Sequence, residues 1–303
     1  MTFLQILLPI FLIFTIGFIG QTFLKFDPKM LSKMAIYLLS PFLVFRTFYE
    51  TNISFSYSYM ILYTIGLCAS IIIILYVIGF FLKYTEKEIC SLILSSAFMN
   101  NGNYGTPVVL FVFGTTGMNY AVILMVFQQL LMGTVGVYYA AKGSEKHSGV
   151  KSSLRAITRM PLVYGAMFGI VFQLAELELG ENIEKAVYMV ADAAIPTIMI
   201  ILGAQLATIS LKEIPFLKIS IALGTRMILS PLIAYFIVFM LPVDEILKQI
   251  MVLMAAMPTA ANTTMLAIEF QTDPEFVSSA TLITTLSSLI TLPFVMYGIT
   301  FLF

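Results

Sequence analysis

Amides set among glycines and prolines inside otherwise apolar sequence are the residues of this chain best suited to chemistry. Asn100, Asn101 and Asn103 stand beside Gly102, Gly105 and Pro107 in SSAFMNNGNYGTPVVLFVFG, residues 95–114, while Asn262, Thr263 and Thr264 follow Pro258 in AAMPTAANTTMLAIEF, residues 255–270. A helix-interior proline costs about 3 kcal/mol and a glycine close to 1 kcal/mol. In hydrocarbon the freed backbone groups cost several kcal/mol more unless protein or water meets them. The sequence therefore predicts helix breaks at Gly102, Pro107 and Pro258. A break exposes N–H groups carrying roughly half a positive charge at one half-helix end, and unpaired carbonyls at the other. Such a site can hold a small anion without a basic side chain, and each amide can donate to a carboxylate or accept from a hydroxyl. Asn101, Asn103, Gly105, Pro107, Asn262 and Thr263 are the substrate-binding candidates, with Gln128 of the following apolar run as a further one.

Two charges lie deep in apolar runs, Asp192 and Arg226. A buried charge in a bilayer costs at least about 2.5 kcal/mol, so each needs a partner or water. They are candidates to pair with each other, or for Asp192 to carry a coupling proton or sodium ion. The hydroxyl run Thr281, Thr284, Thr285 and Ser288 suits helix packing. Cys68 and Cys90 form no metal or disulfide pattern, and His147 lies in a basic connection. With no GxSxG, HExxH or phosphate-loop pattern, an enzyme is not expected, and neither is a metal or cofactor.

These candidates need elements to hold them. Of 303 residues, 60% are hydrophobic and 11% charged, against about 25% charged in soluble domains, so the expected class is an all-α integral membrane protein. Net charge is zero, and nucleic acid is not an expected partner. The first apolar run lacks a basic start and a cleavage site and reads as a permanent span. Apolar runs predict ten spans near 2–24, 30–48, 57–82, 89–112, 118–141, 160–177, 184–208, 215–241, 246–270 and 276–302.

The polar connection 142–159 divides these spans into two halves, 1–141 and 160–303. Pro41 answers Pro196 across 155 residues and Pro107 answers Pro258 across 151. Because five spans is an odd number, the second repeat is inverted, the plan common in secondary transporters. With the N-terminus outside, twelve Lys and Arg fall in cytoplasmic connections, among them Lys83, Lys142 and Lys218, and only Arg46, Lys185 and Lys248 fall outside. The positive-inside rule then places both termini on the non-cytoplasmic side of the cell membrane.

NNGNYGTPVVLF and MPTAANTTMLAIEF, in spans 4 and 9 of a five-plus-five layout, resemble the auxin efflux carrier family, which includes plant PIN carriers and bacterial malate or malonate carriers. The resemblance covers the whole chain. It implies spans 4 and 9 crossing at their breaks, spans 1, 2, 6 and 7 as a scaffold, spans 3–5 and 8–10 as a moving transport domain, and a homodimer. It also implies elevator-type outward transport of organic anions. Asn103 matches a family position associated with the substrate carboxylate, whereas Ala255, three residues before Pro258, replaces the asparagine of plant carriers. A sodium-coupled symporter of related fold and a membrane ligand sensor are the alternative expectations.

Overall fold

A computed structural model describes residues 3–51, 54–144, 161–208 and 216–303, with side chains from Leu8 onward. The expected connection 142–159 lies outside these residues from 145 on, together with His147 and most of the basic groups assigned to it. The described chain is helical: α1 (Phe3–Leu24), α2 (Pro28–Glu50), α3 (Ser56–Leu82), α4 (Glu86–Ser96), α5 (Asn101–Lys142), α6 (Pro161–Leu174), α7 (Glu181–Thr208), α8 (Phe216–Phe239), α9 (Glu245–Ala255), α10 (Ala261–Phe270) and α11 (Pro274–Leu302). Six of these, α2, α3, α5, α7, α8 and α11, are long and apolar enough to cross a membrane, while Leu8–Leu24 and α6 are shorter apolar helices. The 11-residue α4 and α9 and the 10-residue α10 are half-spans, since at about 1.5 Å per residue they reach roughly half-way through a 30 Å hydrocarbon layer.

Local sequence explains several ends and irregularities. Thr85 and Glu88 form a capping box that starts α4, satisfying two donors that would otherwise lack partners. Four π turns interrupt the helices: Ala35–Leu39, Asn101–Gly105, Met132–Gly136 and Thr225–Leu229. Three of them run directly into Ser40–Pro41, Thr106–Pro107 and Ser230–Pro231. A proline ring crowds the carbonyl four residues back. The widened turn relieves that contact, and the N–H before each proline bonds five residues back, to the carbonyls of Ala35, Asn101 and Thr225.

Spans 4 and 5 are expected at 89–112 and 118–141, and within α5 the helix is interrupted between them, at Gly114 (φ 69°, ψ −161°). That left-handed residue reverses the chain: a Cβ on Gly117 would stand 3.2 Å from Val109 Cγ1, a contact no straight helix allows across eight residues. Residues 101–113 and 115–142 thus form a helical hairpin, and a Cβ on Gly102 would meet Met125 Sδ at 3.2 Å.

Two pairs of helices pack most extensively, α1 along α7 and α2 along α6. In the first pair a Cβ on Gly17 would lie 1.9 Å from the Ile200 carbonyl oxygen, and one on Gly203 would lie 1.9 Å from that of Phe14. The two backbones touch, which only small residues permit. Helices α3, α5, α8, α10 and α11 pack around α4 and α9, whose Leu92, Ile93, Ile250 and Leu253 are fully buried. Large apolar residues such as Phe23, Phe80, Phe239, Phe294 and Phe301 are exposed, an exterior suited to lipid tails rather than water.

The proline correspondence does not carry into the helices. Pro41 follows a π turn, whereas Pro196 lies inside the unbroken α7.

Candidate functional site

The two half-helices α4 and α9 end at Ser96 and Ala255, and short extended stretches follow each of them. These stretches meet: Met99 and Thr259 form an antiparallel bridge. The Asn100 N–H donates to the Pro258 carbonyl at 2.8 Å and the Ala260 N–H to the Phe98 carbonyl at 3.0 Å. Each broken chain thereby satisfies backbone groups of the other. The break sits at 97–100, ahead of the glycines and proline that the sequence pointed to. Gly102 and Gly105 lie in the π turn that follows, where a Cβ on Gly105 would come 2.7 Å from Met254 Sδ. Pro107 lies in the second turn of α5, directly after that π turn, whose Thr106 N–H to Asn101 carbonyl bond widens the helix around the proline ring. Pro258, by contrast, lies in the break itself.

Side chains reinforce the crossing. The Thr259 hydroxyl donates to the Ser95 carbonyl at 2.5 Å, and the Thr259 N–H donates to Thr284 Oγ1 at 3.1 Å. Buried Tyr104 shares a 2.8 Å hydrogen bond with Ser288 and sets its ring 5.3 Å from that of Phe14 on α1. Part of the hydroxyl run of α11 is therefore tied into the crossing, through Thr284 and Ser288. A cavity of about 170 Å³ adjoins it, lined by Phe11, Phe14, Phe18, Leu206, Thr285 and Leu289, among others.

Arg226 proves to be the charged centre of this region. It is fully buried, donates from Nη1 to the Ser96 carbonyl at 2.8 Å and from Nη2 to the Ala255 carbonyl and the Ser230 hydroxyl. Ser96 and Ala255 are the last residues of α4 and α9. One guanidinium thus caps two helix C-termini, each carrying roughly half a negative charge. None of the described ion pairs involves it. The expected pairing with Asp192 is corrected by the geometry: Asp192 Oδ1 lies 2.5 Å from Arg46 Nη1, and Arg46 also covers the Tyr188 ring at 5.5 Å. Lys218, assigned to a basic connection, is buried and paired with Asp273 at 2.6 Å.

The predicted binding residues divide by what their polar atoms do. Asn100 Nδ2, Asn101 Oδ1 and both amide atoms of Gln128 are buried and have no hydrogen-bond partner among the described residues. Gln128 lies between Met125, which faces Gly102, and Met132, which together with Phe98 faces Gly136. Helical spacing puts 125, 128 and 132 on one face, so Gln128 points toward the break. An unpaired buried polar group costs about 1–3 kcal/mol, so these three amides carry unused hydrogen-bonding capacity. Asn103 and Asn262 are half-buried. Thr263 is buried, with its hydroxyl engaged by the Ala260 carbonyl at 2.8 Å. The bridge joins the two motifs through their backbones, and the described hydrogen bonds include none between Asn101 or Asn103 and Asn262 or Thr263. No group of three or more His, Cys, Asp or Glu that could hold a metal occurs among the described residues.

Half-helices joined crosswise inside an apolar helical bundle are the architecture of a membrane carrier, and comparison with known proteins agrees. The chain belongs to the membrane transport protein family, whose model matches residues 2–296; this is the auxin efflux carrier family that its two motifs resemble. It is 28% identical over 302 residues to an uncharacterized transporter of Methanocaldococcus jannaschii, covering 95% of this chain and 96% of that one. It is also 28% identical to an uncharacterized transporter of Methanothermobacter thermautotrophicus, covering 92% and 90%. A Rhizobium meliloti protein named "Putative malonate transporter" is 26% identical, covering 88% and 85%.

Proposed function

We propose that this chain is a secondary carrier of small organic anions, carboxylates of the malonate class, working outward across the cell membrane. The observation that carries the reading is the bridged pair of breaks with unpaired amides beside it. Charge counting supports an anion. Arg226 contributes one positive charge, the two helix C-termini it caps remove roughly one, and the helix N-termini that start at Asn101 and Ala261 add roughly one. The N–H groups of Gly102, Ala261 and Asn262 donate to no other described residue, leaving the crossing with donors facing a net positive field. In this reading Asn101, Asn103 and Gln128 orient the carboxylate, Asn262 contributes from the second break, and Thr263 shapes the helix end.

The architecture proposed is ten spans in two inverted repeats, with both termini outside. The pairing of α1 with α7 and of α2 with α6 supports a scaffold of spans 1, 2, 6 and 7, against which the remaining helices slide as an elevator. Tyr104, held by Ser288 and with its ring against that of Phe14, lies at that sliding boundary. A groove of about 520 Å³ between Tyr37, Phe42, Phe45, Tyr164 and Phe168 supports a homodimer through the scaffold. Counterflow of labelled malonate in proteoliposomes tests the function. The expected result is uptake driven by unlabelled internal carboxylate; binding without flux would leave a sensor instead.

A further inference from the structure

The carbonyl ends of interrupted helices are the oxygens with which many carriers gather a coupling cation. In this chain they are occupied by the protein itself. The last carbonyls of α4 and α9, at Ser96 and Ala255, and the hydroxyl of Ser230 converge on the Arg226 guanidinium. Ser230 Oγ also donates to the Ala255 carbonyl at 2.9 Å, so the oxygens form one connected cluster rather than separate contacts. The π turn Thr225–Leu229 carries Arg226, and Ser230 closes that turn.

From this cluster we infer that Arg226 is a resident cation standing where a sodium ion would otherwise bind, and that transport by this chain is independent of sodium. The inference rests on the transport reading above for its flux consequence, but its binding consequence stands without it. A guanidinium is not deprotonated in proteins and offers five donors. It is covalently held and fully enclosed. It therefore neutralises the two helix ends in every state of the cycle. A sodium ion arriving there would face a fixed positive charge and oxygens already engaged. With no exchangeable cation at the helix ends, a sodium gradient has no means of doing work at this point. The carboxylate of Asp192, the other charge within an apolar run of the sequence, is matched by Arg46.

The test uses the full-length purified protein. Thermal unfolding is followed in sodium chloride and in N-methylglucamine chloride at equal ionic strength, for the wild type, Arg226→Lys and Arg226→Ala. Malonate counterflow is measured in the same two salts for the wild type and Arg226→Lys. For the wild type, and separately for Arg226→Lys, midpoint and flux are each expected to be unchanged between the two salts, whatever the difference between the two proteins. Arg226→Ala uncovers the oxygens, and its midpoint is expected to rise with sodium concentration but not with N-methylglucamine, as mass action requires of a ligand that binds only the folded state. A wild-type flux that falls about tenfold without sodium, equivalent to about 1.4 kcal/mol of coupling, would overturn the inference. So would a sodium-stabilised wild type, or a folded Arg226→Ala that gains nothing from sodium. If Arg226→Ala does not fold, the wild type and Arg226→Lys decide the matter. If no carboxylate is transported in either salt, the carrier reading fails while the unfolding measurements still judge the role of Arg226.

Discussion

Two helix crossings in this protein solve the same packing problem in opposite ways. Where α1 crosses α7, both helices stay hydrogen-bonded past the contact, and Gly17 and Gly203 bring the backbones together without a side chain between them. Where α4 and α5 cross α9 and α10, both helices stop, their extended stretches exchange two hydrogen bonds, and a buried arginine takes the freed carbonyls. The first crossing leaves no backbone group available to a solute. The second leaves donors and amides available, at the cost of burying a cation in an apolar bundle. The difference teaches where function can reside: close approach alone is structural, whereas an interrupted pair of helices creates a local field that a solute can complete.

The comparison can be broken most severely at the glycine crossing. Gly203→Leu would drive a side chain into the Phe14 carbonyl, a backbone contact that no rotamer change relieves. Its expected effect is a loss of at least about 3 kcal/mol and little folded protein, read from the monodisperse yield in detergent. A normal yield and unfolding midpoint would show that the two helices separate easily. The smallest effect is expected at Pro107. If that proline made the break, Pro107→Ala would mend the helix and abolish binding. Because the π turn at 101–105 already accommodates the ring inside a continuing helix, the change is expected to alter stability by less than about 1 kcal/mol and to leave substrate affinity intact, as measured by isothermal titration.

Much of this was legible in the sequence, at a definite resolution. Sparse charge and long apolar runs identify a helical membrane protein, and the amide-rich motifs locate both interruptions to within a few residues. The break itself lies at 97–100, ahead of Gly102, Gly105 and Pro107, the residues whose helix-breaking character predicts it. A glycine can instead serve close contact, as Gly105 does against Met254, and a proline is accommodated within a helix by a preceding π turn, as Pro107 is. Three of the four π turns carry a readable signal, the Ser–Pro and Thr–Pro pairs at 40–41, 106–107 and 230–231. The role of Arg226 had none. Its partners lie 130 residues away at Ser96 and 29 away at Ala255, and they are backbone carbonyls, which leave no trace in side-chain identity. The partner of Asp192 is hidden for a related reason: Arg46, expected in an outer connection, pairs across the fold with α7.

The central claim is that the bridged breaks bind a carboxylate, and Asn103 tests it most directly. It is half-buried in the π turn, and its backbone N–H is held by the Asn100 side chain at 3.2 Å, so removing its amide leaves the local fold in place. Malonate affinity by isothermal titration, measured beside the unfolding midpoint, is expected to fall about tenfold in Asn103→Ala with the midpoint unchanged. Unaltered affinity, or a loss that follows the midpoint down, would contradict the account.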